Sequence, residues 1–207
     1  MKYLVGIDEV GRGPLAGPVA VGVFILKENQ KRFSLFYKKG KTFLRDSKKL
    51  SEKQREEWFE IIRAERERGA LDFSVSFVSH TMIDKRGLVW ALRVAIRHSL
   101  ARLLISANAE IFLDGGLRAP EHFKNQWTII KGDEKVPVIA LASIVAKVSR
   151  DRLMVRLAKK YPEYGFEKHK GYGTAAHFSA IKKYGLCPIH RRSFLLEYKI
   201  LKVNKNL

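Results

Sequence analysis

Two short β-rich runs, Tyr3-Leu4-Val5-Gly6-Ile7 and Pro18-Val19-Ala20-Val21-Gly22-Val23-Phe24-Ile25-Leu26, stand on either side of a segment with glycines at positions 11, 13 and 17. Runs of this length bounded by breakers predict strands over 2–8 and 18–26, joined as a hairpin. The first run delivers Asp8 and Glu9 directly into the glycine turn. Successive strand residues face opposite ways, so these carboxylates share a site only where the strand bends, and glycine permits the bend.

Further along, Ser51 and Gln54 form a capping-box pair ahead of Trp58, Ile61 and Ile62, which predicts a helix over about 52–68. Leu71, Phe73, Val75 and Phe77 alternate as in a half-buried strand. Leu88, Ala91, Leu92, Ala95, Ile96, Leu103 and Leu104 recur at helical spacing, with Thr81 as a candidate cap. Strands over 110–113 and 127–130 then run into Asp114-Gly115-Gly116 and Lys131-Gly132-Asp133. A long helix is expected over 137–160, opened by Pro137 and apolar nearly all round at its start. Shorter helices are expected over 174–184 and 194–202. Strands interleaved with helices argue for an α/β fold, and the hairpin makes its central sheet mixed.

The chain's 207 residues suit one sizeable domain with a small appended subdomain. Forty Lys and Arg against 21 Asp and Glu give a formal charge of +19, which favours a polyanionic partner, nucleic acid foremost. Cys187 is the single cysteine, so neither an intramolecular disulfide nor a cysteine-based zinc site is available, as in a reducing compartment. No stretch approaches the ~18 apolar residues of a membrane span, and the amino terminus lacks a signal-peptide pattern. A cytoplasmic protein is expected.

Asp8, Glu9, Asp114 and Asp133 each follow an apolar strand, and strand ends along one edge of an α/β sheet are where sites collect. Carboxylates gathered there repel one another unless hard cations such as Mg2+ or Mn2+ lie between them. A pair of such ions ~4 Å apart suits phosphodiester hydrolysis. Asp46, Glu134 and Asp151 adjoin basic residues and read as ordinary ion pairs. Gly11, Gly13 and Gly17 are spaced one residue too widely for a dinucleotide fingerprint, which counts against a nucleotide-cofactor enzyme. A non-catalytic basic nucleic-acid-binding module is the alternative reading; it accounts for the charge but not for three acidic strand ends. His98, His122, His169, His177 and His190 lack metal-ligand spacing and read as packing or surface residues.

Five segments together resemble the ribonuclease HII family: Asp8-Glu9-Val10-Gly11-Arg12-Gly13, Asp46-Ser47-Lys48-Lys49-Leu50, Leu113-Asp114-Gly115, Lys131-Gly132-Asp133 with Ala142 to Asp151, and His169-Lys170-Gly171-Tyr172-Gly173-Thr174. They occur in the family's order across residues 4 to about 195. The resemblance implies an RNase H-like fold: a catalytic domain over 1–165 and a C-terminal helical extension over 166–207 that closes over the substrate. It implies endonucleolytic cleavage of RNA paired with DNA, and of duplex DNA carrying one ribonucleotide, using two divalent ions held by Asp8, Glu9, Asp114 and Asp133. Gly11, Arg12 and Gly13 would contact the ribose 2′-hydroxyl, the backbone group that tells RNA from DNA. Tyr172 would stack on the sugar of the following deoxynucleotide. Lys48, Lys49, Ser143, Lys147, Lys170, Arg191 and Arg192 are further candidate substrate contacts. The chain is expected to act as a monomer. Its end, Tyr198 to Leu207, lacks a sliding-clamp-binding pattern.

Overall fold

The computed structural model describes residues 3–27 and 50–196. Strands β1 (Tyr3–Val10) and β2 (Val19–Lys27) form the expected hairpin, paired antiparallel from Tyr3↔Lys27 to Val10↔Ala20. The ladder therefore continues two residues past Asp8, and the chain turns only at Gly11, where φ is +87°. Helix α1 (Glu52–Glu67) begins at Ser51, whose side chain accepts from the Gln54 amide while the Gln54 side chain accepts from the Ser51 amide. Strand β3 (Leu71–Val78) follows and pairs antiparallel with β2.

The expectation for Thr81 is corrected. Gly87, at φ +82°, divides the segment into helices α2 (His80–Arg86) and α3 (Leu88–Arg102), and Ser79 caps α2 by accepting from the Met82 amide. Strands β4 (Glu110–Asp114) and β5 (Gln126–Ile129) come next, then a single helical turn, α4 (Gly132–Lys135). Helix α5 (Pro137–Lys160) matches its expected span and is buried over most of its first half. A 3-10 turn over Pro162–Tyr164 and short helices α6 (Phe166–His169) and α7 (Ala175–Tyr184) complete the named elements. Residues 192–196 are helical, and the rest of the helix expected over 194–202 lies outside the described residues.

The sheet order is β3-β2-β1-β4-β5, with β4 parallel to both β1 and β5, so the sheet is mixed as expected. The alternation of β2 assigns its two faces. Val21, Val23 and Ile25 join Ala91, Ala95 and Ile96 of α3 in one core, whereas Phe24 and Leu26 join Trp58, Ile62, Leu141 and Val145 of α1 and α5 in the other. The strand over 71–78 carries an unexpected face: Ser74 and Ser76 are buried, with Ser76 accepting from Ser99 at 2.8 Å, while Phe77 is 39% exposed. A third, smaller core gathers Ala16, Met154, Tyr164, Phe166 and Ile189 around the C-terminal half of α5.

Helix α5 lies almost on the sheet. A Cβ at Gly6 would stand 2.0 Å from the Val138 carbonyl oxygen, and one at Gly22 2.4 Å from that of Ala142. Only glycine admits such an approach. It brings Ser143 over β1, where the acidic residues lie.

Candidate active site

The β1–β4 register pairs Ile7 with Leu113, so Asp8 and Asp114 are the next residues of two adjacent parallel strands. This relation, more than any bend, assembles the site. Glu9 joins because the Asp8 carboxylate turns along the strand and accepts from the Glu9 amide at 2.8 Å. Asp8, Glu9 and Asp114 each offer a carboxylate oxygen, and these lie within 4.8 Å of one another. Asp114 Oδ1 is fixed by the Gly132 amide at 2.6 Å. Glu9 Oε1 accepts from Arg12 Nη1 at 2.8 Å, while its Oε2 is buried with no hydrogen-bond partner.

The electrostatics follow. Burial first, then the charges of Glu9 and Asp114, hold the Asp8 carboxyl well above its ordinary range, opposed by hydrogen bonds from Ser143 and the Glu9 amide. A buried carboxylate among two others is unfavourable unless a cation joins them. Hard oxygen donors, one of them unpartnered, fit a divalent ion.

Asp133 is placed differently from its expectation. It is not at a strand end but in α4, four residues beyond β5, fully buried, and it is not among the carboxylates within 4.8 Å of one another. It follows Gly132, whose amide holds Asp114.

The three carboxylates open onto a cleft of about 390 Å³ that Gly11, Arg12, Gly13, Ser143, Lys147 and Tyr172 also line. The glycine turn and Tyr172 face each other: a Cβ on Gly13 would sit 4.0 Å from Tyr172 Cε1. Arg12 and Gly13 are exposed, and their amides have no acceptor among the described residues. Lys147 reaches the cleft while paired to buried Asp151 at 2.8 Å. Arg192 is exposed, its backbone amide donating to Asp84. Lys48, Lys49 and Asp46 lie outside the described residues.

Two expected phosphate contacts are corrected. Lys170 is buried, and its ammonium donates to the Glu167 carbonyl, with Glu52 3.5 Å away. Arg191 is fully buried and donates to the carbonyls of Gly17 (2.9 Å), Arg12 (2.8 Å) and Gly11 (2.7 Å). Its planar fork matches carbonyls turned inward where Gly11 and Gly17 adopt positive φ. Arg150, absent from the expected site, does the same for Pro18, Lys170 and Ala16. Neither forms an ion pair among the described residues. Burial and then the charge of Arg150 push Arg191 down to about 9. Sequence gave no signal for these roles, because both arginines stand in polar runs that read as surface. Arg55 also lines the cleft and was one arginine among several on α1.

The profile of the family described as Ribonuclease HII matches residues 5–197. The chain is 47% identical over 190 residues to ribonuclease HII of Endomicrobium trichonymphae, covering 91% of this chain and 83% of that protein. It is 44% identical over 193 residues to ribonuclease HII of Clostridioides difficile, covering 93% and 70%. Ribonuclease H2 from Pyrococcus horikoshii OT3 superposes with a TM-score of 0.67 at 28% identity, over 92% of this chain and 93% of that one. Ribonuclease HII from Archaeoglobus fulgidus, solved in complex with PCNA, gives 0.69 at 26% identity, over 91% and 93%. Ribonuclease HIII from Bst, solved with Mn2+, shares the fold at 15% identity, with a TM-score of 0.63. A mixed sheet bringing three carboxylates to one cleft, and a match along nearly the whole chain, lead to one conclusion: this chain belongs to the ribonuclease HII family and is a type 2 ribonuclease H, an endonuclease for RNA/DNA hybrids.

Proposed function

We propose that the chain also cuts duplex DNA on the 5′ side of a single embedded ribonucleotide, leaving 3′-hydroxyl and 5′-phosphate ends, with two divalent ions held in the acidic site. The observation that carries this is the juxtaposition of the Asp8, Glu9 and Asp114 oxygens with the Gly11–Gly13 turn and Tyr172 across one cleft. Ions bound there would supply an activated water and neutralise charge on the leaving oxygen. The protein's own part is placement. Ser143 and the Glu9 amide orient Asp8, and the Gly132 amide orients Asp114. Asp133, beside that last contact, is the proposed fourth carboxylate.

Arg191 occupies the Gly11 and Arg12 carbonyls, and the Arg12 and Gly13 amides are among the polar groups the turn still offers. Amide donors suit a ribose hydroxyl or a phosphate oxygen. Tyr172, 40% exposed, offers a ring face on which a sugar can stack. The C-terminal extension, described over 166–196, is proposed to close over the bound duplex. The clamp complex belongs to the Archaeoglobus protein; the end of this chain, Tyr198 to Leu207, lies outside the described residues. Among the described residues no helix is long and apolar enough to cross a membrane. We take the protein to work as a cytoplasmic monomer.

The test is incubation with a duplex carrying one ribonucleotide, in Mg2+ or Mn2+, followed by analysis of the product ends. The reading expects 3′-hydroxyl and 5′-phosphate termini and complete inhibition by chelator. A 2′,3′-cyclic phosphate product, or cleavage that survives chelation, refutes it.

A further inference from the structure

We propose that His177 is a positioning residue for Tyr172, acting through a directional hydrogen-bond chain that runs from Cys187 through His190 and His177 to the Tyr172 carbonyl. The inference rests on the reading of Tyr172 as the residue that senses the RNA-to-DNA junction.

The direction of the chain follows from donor and acceptor chemistry. The Tyr172 carbonyl can only accept, so His177 Nδ1, 2.9 Å away, carries a proton. In the neutral ring Nε2 then accepts, so His190 Nε2, 3.0 Å away, donates to it. That leaves His190 Nδ1 as an acceptor, and it meets the Cys187 amide at 2.9 Å and the Cys187 sulfur at 3.1 Å. The Cys187 carbonyl oxygen also lies 3.2 Å from His190 Nδ1, but it already accepts from the His190 amide at 3.1 Å; the other links agree with one assignment. A second imidazole is fixed independently: His169 Nδ1 accepts from the Gly171 amide at 3.3 Å, and its Nε2 donates to the Tyr164 carbonyl at 2.7 Å. The His169 and His177 rings stack with centroids 4.5 Å apart.

The environment keeps the chain intact. His177 is fully buried and His190 nearly so, with the Phe166 ring edge-on to His177 at 5.4 Å. Protonating His177 would set two N–H groups against each other at the 3.0 Å contact, and protonating His190 would do the same at its 2.9 Å contact with the Cys187 amide. The target is a strained stretch, since Lys170 at φ +51° and Gly171 at φ +88° precede Tyr172. Backbone at such angles persists only where surrounding contacts over-determine it. Tyr172 is gripped at its amide by the His169 carbonyl, and at its carbonyl by the Thr174 amide and His177. The ring is left to face the cleft.

Asparagine places an amide nitrogen near His Nδ1, whereas glutamine places one near Nε2. His177→Asn therefore keeps the bond to Tyr172, and His177→Gln loses it. The experiment compares kcat/KM on a duplex with one ribonucleotide against an all-RNA hybrid, alongside melting temperatures. His177→Gln should shift that ratio against the single-ribonucleotide substrate by about tenfold, with His177→Asn within about threefold of the unaltered protein. Equal ratios in the two variants overturn the inference. Tyr172→Ala separates the two readings: a changed ratio there with an unchanged one in His177→Gln refutes the relay alone, whereas an unchanged ratio in Tyr172→Ala refutes both. Should the variants fail to fold, 15N imidazole spectra of the unaltered protein decide at pH 7. The expected tautomers are Nδ1–H at His177 and Nε2–H at His190; any other assignment overturns the chain.

Discussion

Arg191 donates to the Gly11 carbonyl at 2.7 Å, joining residues 180 positions apart and fastening the turn that walls the acidic cleft. Replacement by lysine keeps a charge but not the fork that serves three carbonyls. Arg191→Lys should destabilise the protein by about 2 kcal/mol and lower kcat/KM by about tenfold. Denaturant unfolding and steady-state kinetics check both; an unaltered midpoint would contradict the role.

Arg192, one residue on, faces solvent. Arg192→Ala should change stability by less than about 0.5 kcal/mol. As a phosphate contact, its loss should reduce the slope of log affinity against log salt by about 1 for any duplex. An unchanged slope would remove it from the interface.

The acidic cluster is a burden on the metal-free protein. Asp8 titrates above its unfolded value, so its contribution to stability is present at low pH and lost as pH rises through the folded value. Asp8→Asn should therefore stabilise the protein in chelator by about 1 kcal/mol while abolishing cleavage. It should also remove the rise in melting temperature that Mn2+ gives the unaltered protein. Destabilisation in chelator would contradict the electrostatic account.

His177 has the opposite linkage to pH. Burial first, and the charges of His169 and His190 next, lower it from 6.5 to about 4. Above pH 6.5 both folded and unfolded forms are neutral and nothing is lost. As pH falls from 6.5 toward 4 the unfolded chain takes the proton first, so stability drops by about 3 kcal/mol over that window. Unfolding free energies measured across it should show this fall, reduced in His177→Asn. A flat profile would mean that the ring is not held neutral.

Gly22 lies opposite Asp8 in the ladder, beneath α5. A methyl there would meet the Ala142 carbonyl oxygen at 2.4 Å. Gly22→Ala should cost about 3 kcal/mol and lower activity by lifting Ser143 from Asp8. Thermal unfolding and kinetics test the pair of effects.

Local signals carried much of the fold. The hairpin, the capping box at Ser51 and Gln54, and α5 from Pro137 to Lys160 are each written in neighbouring residues. Asp8, Glu9 and Asp114 were legible because apolar strands end, or nearly end, on them. Asp133 was expected at a strand end but lies within the helical turn that follows β5. The buried arginines were not legible, since nothing local marks the carbonyls they serve: Arg150 and Arg191 bind a turn more than a hundred residues away. The histidines were expected in packing or surface positions, and His177 and His190 are buried, but the order of their hydrogen bonds depends on α7 meeting the segment around Cys187.

The central claim is that one cleft both cuts and chooses. Mapping the cut in a duplex with a single ribonucleotide, beside the same duplex with a 2′-deoxynucleotide there, tests it most directly. The account predicts one Mn2+- or Mg2+-dependent nick immediately 5′ of the ribonucleotide and none in the deoxy duplex. Cleavage at other positions, or equal cleavage of both duplexes, would contradict it.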